Sequence, residues 1–295
     1  MLRIKGLSKT YDNGVQALKD VNLEIPNGLF GLLGPNGAGK SSLMRTIATL
    51  QQADQGSIHF DNIDVLNQPT EMREQLGYLP QDFGVYPQFS AQTMLNHFAA
   101  LKGFTQSGER KETVQGLLAM VNLWDVRHQK LGTYSGGMLQ RFGVAQALLG
   151  NPRLVIVDEP AAGLDPEERD RLLNLLSEIG EQVVIILSTH LVGNVRDLCR
   201  EMAVLVKGQV VASGEPEQLV DALAGQIWST VVDKADVALY RCEHEVLSAR
   251  LFAGRIALRV KSLKVPGPEF TAVTASLEDV YFSVLEKSKQ EPALV

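Results

Sequence analysis

The sequence predicts an α/β fold built on a largely parallel sheet, and three observations carry that expectation. Leu154 to Val157, Val183 to Leu187 and Ala203 to Val206 are apolar throughout, as strands covered on both faces must be. Between the first two, Glu167 to Ile179 sets Leu172, Leu175, Leu176 and Ile179 at spacings of three and four, a stripe suited to covering a sheet. Short runs of this kind alternate with helical periods along most of the chain, the order in which parallel strands and their crossover helices follow one another.

Taken in chain order, Leu29 to Leu33 is the first compact strand candidate, and the residues from Lys40 to about Leu50 continue it as a helix. Ala91 to Leu101 and Glu109 to Val121 follow as helices, the second with Val114, Leu117, Leu118 and Val121 on one face. With a further helical stretch through Leu149, they predict a helical insertion over about residues 85–150. After Leu223 the pattern changes to strand-like Ile227 to Val232 and Ile256 to Val260, a turn at Pro266-Gly267-Pro268, and a helix from Ser276 to about Lys287. Ser276 followed three residues later by Asp279 is a capping signal, and Gln290 to Val295 are expected to fray. The organisation expected is a main domain over residues 1–220 and a C-terminal accessory α+β domain over residues 221–295.

Composition excludes several classes. The 295 residues carry 45% hydrophobic and 21% charged side chains, which is ordinary globular usage and not that of a disordered chain. No apolar run exceeds five residues, whereas a membrane-spanning helix needs about 20. The net charge of −6 disfavours a nucleic-acid partner, because phosphate binding shows as a basic surplus or stripe. Met1 to Lys5 lacks the apolar stretch of a secretory signal. Cys199 and Cys242 are isolated from one another, as free thiols in a reducing compartment would be.

Chemistry begins at Gly34-Pro35-Asn36-Gly37-Ala38-Gly39-Lys40-Ser41, which fits Gly-x-x-x-x-Gly-Lys-Ser/Thr between a strand candidate and a helix. Such a loop turns successive backbone N–H groups toward a phosphate, and the helix behind it adds its dipole. Lys40 would reach the β- and γ-phosphates and Ser41 would coordinate Mg²⁺. The strand Leu154 to Val157 ends in Asp158 and Glu159, where parallel sheets bind their ligands. Asp158 suits Mg²⁺, and Glu159 would orient or deprotonate an attacking water. Ser135-Gly136-Gly137-Met138 then opens another helix, either as an ordinary serine cap or as a second anion site.

In this order the motifs resemble those of the ATP-binding subunits of ABC transporters, over about residues 1–220. The resemblance implies a P-loop NTPase (ABC ATPase) fold with a helical subdomain insertion and a small C-terminal α+β appendage, ATP and Mg²⁺ as cofactors, and ATP hydrolysis. It makes Tyr11 the aromatic that stacks on adenine, Gly34 to Ser42 the phosphate cradle, and Gln81 a Mg²⁺-contacting residue that senses a membrane partner. Ser135, Gly136 and Gly137 become the signature, Asp158 and Glu159 the Walker B pair, Asp165 in Gly163-Leu164-Asp165-Pro166 the D-loop residue, and His190 the switch histidine. Lys40, Gln81, Glu159 and His190 are the implied catalytic set, with Ser41, Gln81 and Asp158 at the metal. Asp165-Pro166-Glu167-Glu168 also reads as a local helix start. Two positions depart from the family pattern, Met138 in place of Gln and Ala161 in place of Ser or Thr.

The resemblance further implies head-to-tail pairing with a second ATP-binding subunit, most simply a homodimer, and a separate transmembrane permease. Phe83, Tyr86 and Phe89 would be its contact zone, which places the chain on the cytoplasmic face of the inner or plasma membrane. Gly77-Tyr78-Leu79-Pro80-Gln81 and the tail resemble ATPases of bacterial ABC-2 type exporters, including drug-resistance-like systems. An importer ATPase and a soluble non-transport ABC ATPase are the alternatives.

Overall fold

The computed structural model describes residues 1–290. The chain opens with β1 (Leu2–Thr10) and β2 (Gln16–Ile25), continues through β3 (Gly28–Leu33) and α1 (Lys40–Ile47), and then forms β4 (Gln55–Phe60) and β5 (Ile63–Asp64). Strands β1, β2, β4 and β5 make one antiparallel sheet in the order β2-β1-β4-β5. Next come α2 (Pro69–Glu74), β6 (Leu76–Leu79), α3 (Ala91–Leu101), α4 (Ser107–Met120), α5 (Gly136–Ala147), β7 (Leu154–Asp158), α6 (Pro166–Gly180), β8 (Val184–Thr189), α7 (Val192–Leu198), β9 (Glu201–Val206) and β10 (Gln209–Gly214). The central sheet has six strands in the order β10-β9-β3-β8-β7-β6, all parallel except the β9–β10 hairpin.

The apolar runs are explained by two cores, one on each face of this sheet. Leu29, Leu33, Val155, Val157, Ile185 and Leu187 face the helices, while Phe30, Leu32, Leu154, Ile156, Val184 and Ile186 face α1 and the antiparallel sheet. Alternate residues of one strand thus enter different cores, and polar side chains such as Asp158, Ser188 and Thr189 are left to the C-terminal ends of the strands. At roughly 1.5–3 kcal/mol for each large apolar side chain taken out of water, the strands are the chief source of stability.

The largely parallel expectation holds for the central sheet only, since the other two sheets are antiparallel. The helix expected to reach Leu50 stops at Ile47. Thr49 turns left-handed with φ 59°, and Gln51 Nε2 folds back onto the Ser42 carbonyl at 2.9 Å and the Thr46 hydroxyl at 2.9 Å.

The C-terminal part comprises α8 (Pro216–Asp221), β11 (Ile227–Val232), α9 (Val237–Glu243), β12 (Glu245–Phe252), β13 (Arg255–Lys261), β14 (Thr271–Ala272) and α10 (Leu277–Gln290). Its sheet runs β12-β13-β11-β14 over a small core of Val232, Val246, Leu258, Val260 and Phe270. Leu277, Val280 and Tyr281 of α10 belong instead to the large helical core, and α10 packs on α7, α8, β9, β10 and β12. Of the end expected to fray, only Gln290 lies within the described residues, as the last residue of α10. Among the described residues no helix is long and apolar enough to cross a membrane.

Candidate nucleotide site

Strand β3 delivers the chain into the loop 34–39 at the end of the parallel strands, and the loop's glycines are dictated by space and torsion. A side chain at Gly34 would collide with the Leu205 carbonyl oxygen, and one at Gly39 with that of Ala17. Gly37 and Gly39 have φ of 78° and 107°, a region costly to residues with a Cβ. The first-turn N–H groups of α1 have no helical acceptor and stand ready for an anion. Lys40 curls over the loop, its ammonium donating to the Gly34 carbonyl at 2.6 Å and to that of Pro35 at 3.4 Å. Burial pushes this amine below the usual lysine value, while Glu159 and Asp158 pull it partly back.

A cavity of about 760 Å³ opens above the loop, lined by Tyr11, Pro35 to Ser42, Gln81, Asp158, Glu159 and His190. Gly34 does not line it and serves from behind as the acceptor of Lys40. The Ser41 hydroxyl donates to Asp158 Oδ2 at 3.3 Å, so the loop and the end of β7 meet across the central sheet. Tyr11 is positioned through its hydroxyl, 2.9 Å from Ser42 Oγ and 3.1 Å from Gln51 Oε1. Glu159, 9% exposed, has a left-handed backbone at φ 47°, held by its N–H to the Ser188 carbonyl at 3.0 Å. His190 Nδ1 lies 2.8 Å from Glu159 Oε2.

Ser135, Gly136, Gly137 and Asp165 are not brought into this cavity. Ser135 caps α5 by accepting from Met138 N–H at 3.2 Å, and Asp165 caps α6 by accepting from Glu168 N–H at 2.9 Å. The two caps are neighbours, since buried Arg141 pairs with Glu168 at 3.2 Å. Ser135, Gly136 and Asp165 are exposed. Phe83 is half-buried against Gly143 and the helical core, whereas Tyr86 and Phe89 stand exposed in edge contact, 6.3 Å between centroids.

Sequence reasoning missed Val15, Gln16, Ala17, Lys19 and Lys207, which also line the cavity. No motif marks them; Lys207 is held at the cavity by the β9–β10 turn, which Gly208 N–H fastens to the loop by donating to the Ala38 carbonyl at 2.8 Å. Cys199 is buried, its thiol pushed up to about 12 by that burial, and Cys242 is exposed.

A strand, an anion loop and a carboxylate pair on a parallel sheet define a P-loop nucleotide hydrolase. The comparisons place it further. The ABC transporter family model matches residues 18–162. The uncharacterized ABC transporter ATP-binding protein YxlF of Bacillus subtilis is 31% identical over 97% of this chain and 99% of its own length. The linearmycin resistance ATP-binding protein LnrL of the same organism is 31% identical over 76% of this chain and 72% of its own. A phosphonates import ATP-binding protein, PhnC 2 of Synechococcus, is 34% identical over 77% and 90%. Among solved structures, the dimeric post-hydrolysis ATP-binding cassette MJ0796 bound to ADP and Pi superposes with a TM-score of 0.66 at 27% identity, covering 73% of this chain and 98% of that one. The chain belongs to the ABC transporter family, as an ATP-binding, ATP-hydrolysing subunit. Such subunits work with transmembrane permease components, and dimeric cassettes are known among them.

Proposed function

We propose that this chain binds ATP on the loop 34–39 and hydrolyses it in a head-to-tail homodimer, driving a permease carried on a separate chain. One observation carries the reading: Tyr11, Lys40, Asp158, Glu159 and His190 share a cavity, while Ser135 and the Gly136-Gly137 amides stand exposed or capped elsewhere. Each chain then holds two complementary halves, and the signature of one copy closes the cavity of the other.

In that closed site the adenine stacks on Tyr11, the loop amides and Lys40 neutralise the β- and γ-phosphates, and Ser135 with the following amides adds donors at the γ-phosphate. Glu159 accepts the proton of the attacking water as its oxygen bonds to the γ-phosphorus, and ADP leaves with the electron pair of the broken P–O bond. An ionised Glu159 takes a hydrogen bond from His190 Nδ1–H, which fixes the imidazole and turns Nε2 toward the nucleotide. Asp165, as the D-loop residue, borders the partner's site. Ser41 and Asp158 offer hard oxygen donors of the kind Mg²⁺ takes, with the Gln81 carboxamide a third. When bound, the ion would withdraw charge from the phosphate oxygens.

Export is the direction proposed, supported by the resistance function in the name of LnrL, although the import protein PhnC 2 matches comparably. Tyr86 and Phe89 form the permease contact, which holds the chain at the cytoplasmic face of the membrane. The net charge of −6 argues against nucleic acid as the partner. Phosphate release by the purified chain, absent in Glu159→Gln, tests the hydrolytic reading. ATP-driven accumulation of a cargo drug in inverted vesicles bearing chain and permease supports export; ATP-driven depletion of preloaded vesicles would reverse the direction.

A further inference from the structure

The C-terminal part has no motif of its own, yet its last helix is bonded to a residue that lines the nucleotide cavity. Lys207 lines that cavity, and its ammonium donates to the Ser288 carbonyl of α10 at 2.9 Å. The turn that carries it has little freedom. Gly208 donates to Ala38 of the phosphate loop and accepts from Lys19 N–H at 2.8 Å, and a side chain at Gly208 would meet the Ala17 carbonyl. Lys207 and Lys19 thus stand on one wall of the cavity, and neither has a carboxylate partner among the described residues. Helix α10 is equally fixed, through buried Leu277, Val280 and Tyr281, and it packs on both the β9–β10 hairpin and α7, the helix that follows His190.

We propose that Lys207 is a nucleotide-binding residue whose ammonium is shared between the phosphates of ATP and the Ser288 carbonyl, so that α10 senses nucleotide and tunes its affinity. An ammonium on a four-carbon stem reaches either acceptor. A phosphate is the stronger acceptor, because its negative charge adds a Coulomb attraction to the ammonium that a neutral carbonyl lacks. Because the two contacts compete, ATP weakens the hold on α10, and whatever fixes α10 against Lys207 weakens ATP by the same factor. The tail then acts as a reporter through which a partner bound to it would sense or set nucleotide occupancy. This rests on the cavity being the ATP site.

Two measurements on the full chain test it: titration with a Mg²⁺-bound non-hydrolysable ATP analogue, and hydrogen exchange over residues 285–290 with and without that analogue. In the wild type the analogue accelerates exchange in this last stretch of α10. Lys207→Gln weakens analogue binding about fivefold to tenfold, the scale of one charge-assisted hydrogen bond, and its α10 exchange is fast with or without the analogue. Lys207→Arg restores both behaviours, and an unchanged melting temperature of Lys207→Gln separates the effect from unfolding. Equal affinity in wild type and Lys207→Gln, or α10 exchange indifferent to the analogue in the wild type, overturns the proposal while leaving the ATP site intact. A wild type that binds no analogue overturns the site itself.

Discussion

His190 and Glu159 meet at 2.8 Å between Nδ1 and Oε2, with the carboxylate nearly buried at the end of β7 and the imidazole 55% exposed toward the cavity. The pair joins two strands of the central sheet, since Glu159 N–H is also bonded to the Ser188 carbonyl. The histidine therefore orients the carboxylate proposed as the base more than it shelters it. Replacing His190 by Ala should lower kcat for ATP about 100-fold or more, the range of a misplaced general base, with a much smaller change in KM. Steady-state phosphate release distinguishes this from a binding defect, which would move KM instead.

Lys40 carries the second prediction. Burial desolvates its ammonium more than Glu159 and Asp158 offset, so it loses its proton below the ordinary lysine value of 10.5. In the proposed site the charged form is the one that binds phosphate. ATP affinity should therefore be full near neutrality and fall as pH rises through the depressed value. Calorimetric titration across alkaline pH should show that fall beginning before a free lysine would titrate. Lys40→Ala should bind weakly and lose this pH dependence.

Glycines separate space from torsion. Ala at Gly137 collides with the Glu168 carboxylate, which Arg141 and Arg171 hold in place. Moving it strips buried Arg141 of its partner, at a cost of about 2 kcal/mol. Gly37 faces open space but has φ 78°, so Ala there costs about 1 kcal/mol through the backbone alone. Urea unfolding of the two variants should rank them in that order.

In the tail, Asp279 is 1% exposed and takes two bonds of 2.7 Å from Arg259, with the Ser276 hydroxyl and N–H adding two more. Arg259→Ala leaves a buried carboxylate with its charge unpaired, which should cost about 3 kcal/mol. Arg259→Lys keeps the charge but cannot reproduce the fork and should recover only part. Denaturant midpoints of the three proteins check the ranking.

The loop 34–39, the Asp158-Glu159 pair and the central strands could be read from the sequence because each obeys a local demand. The glycines answer to backbone collisions, and the strands must be apolar on both faces. Ser276-x-x-Asp279 was legible as a cap for the same reason. Strands β1, β2 and β4 escaped notice despite alternation such as buried Leu2 and Ile4 beside exposed Arg3: repeated register shifts between β1 and β2 interrupt their period, and the β1–β4 pairing joins residues too far apart in sequence to leave a local mark. In β12 only Val246 and Leu247 are buried, and in α9 no residue is, so neither carries a period. Lys19 and Lys207 join the cavity through tertiary hydrogen bonds that no spacing encodes. Ser135 and Asp165 were legible as motifs, but a single chain uses both as helix caps.

The central claim is that the cavity of one chain is completed by the signature of another. The direct measurement is the molar mass of Glu159→Gln in solution, by light scattering, with and without ATP, alongside the double variant that also carries Ser135→Arg. Glu159→Gln should pass from monomer to dimer when ATP is added, and the double variant should bind ATP yet remain monomeric. A Glu159→Gln chain saturated with ATP but monomeric, or a double variant that dimerises equally well, would contradict the account.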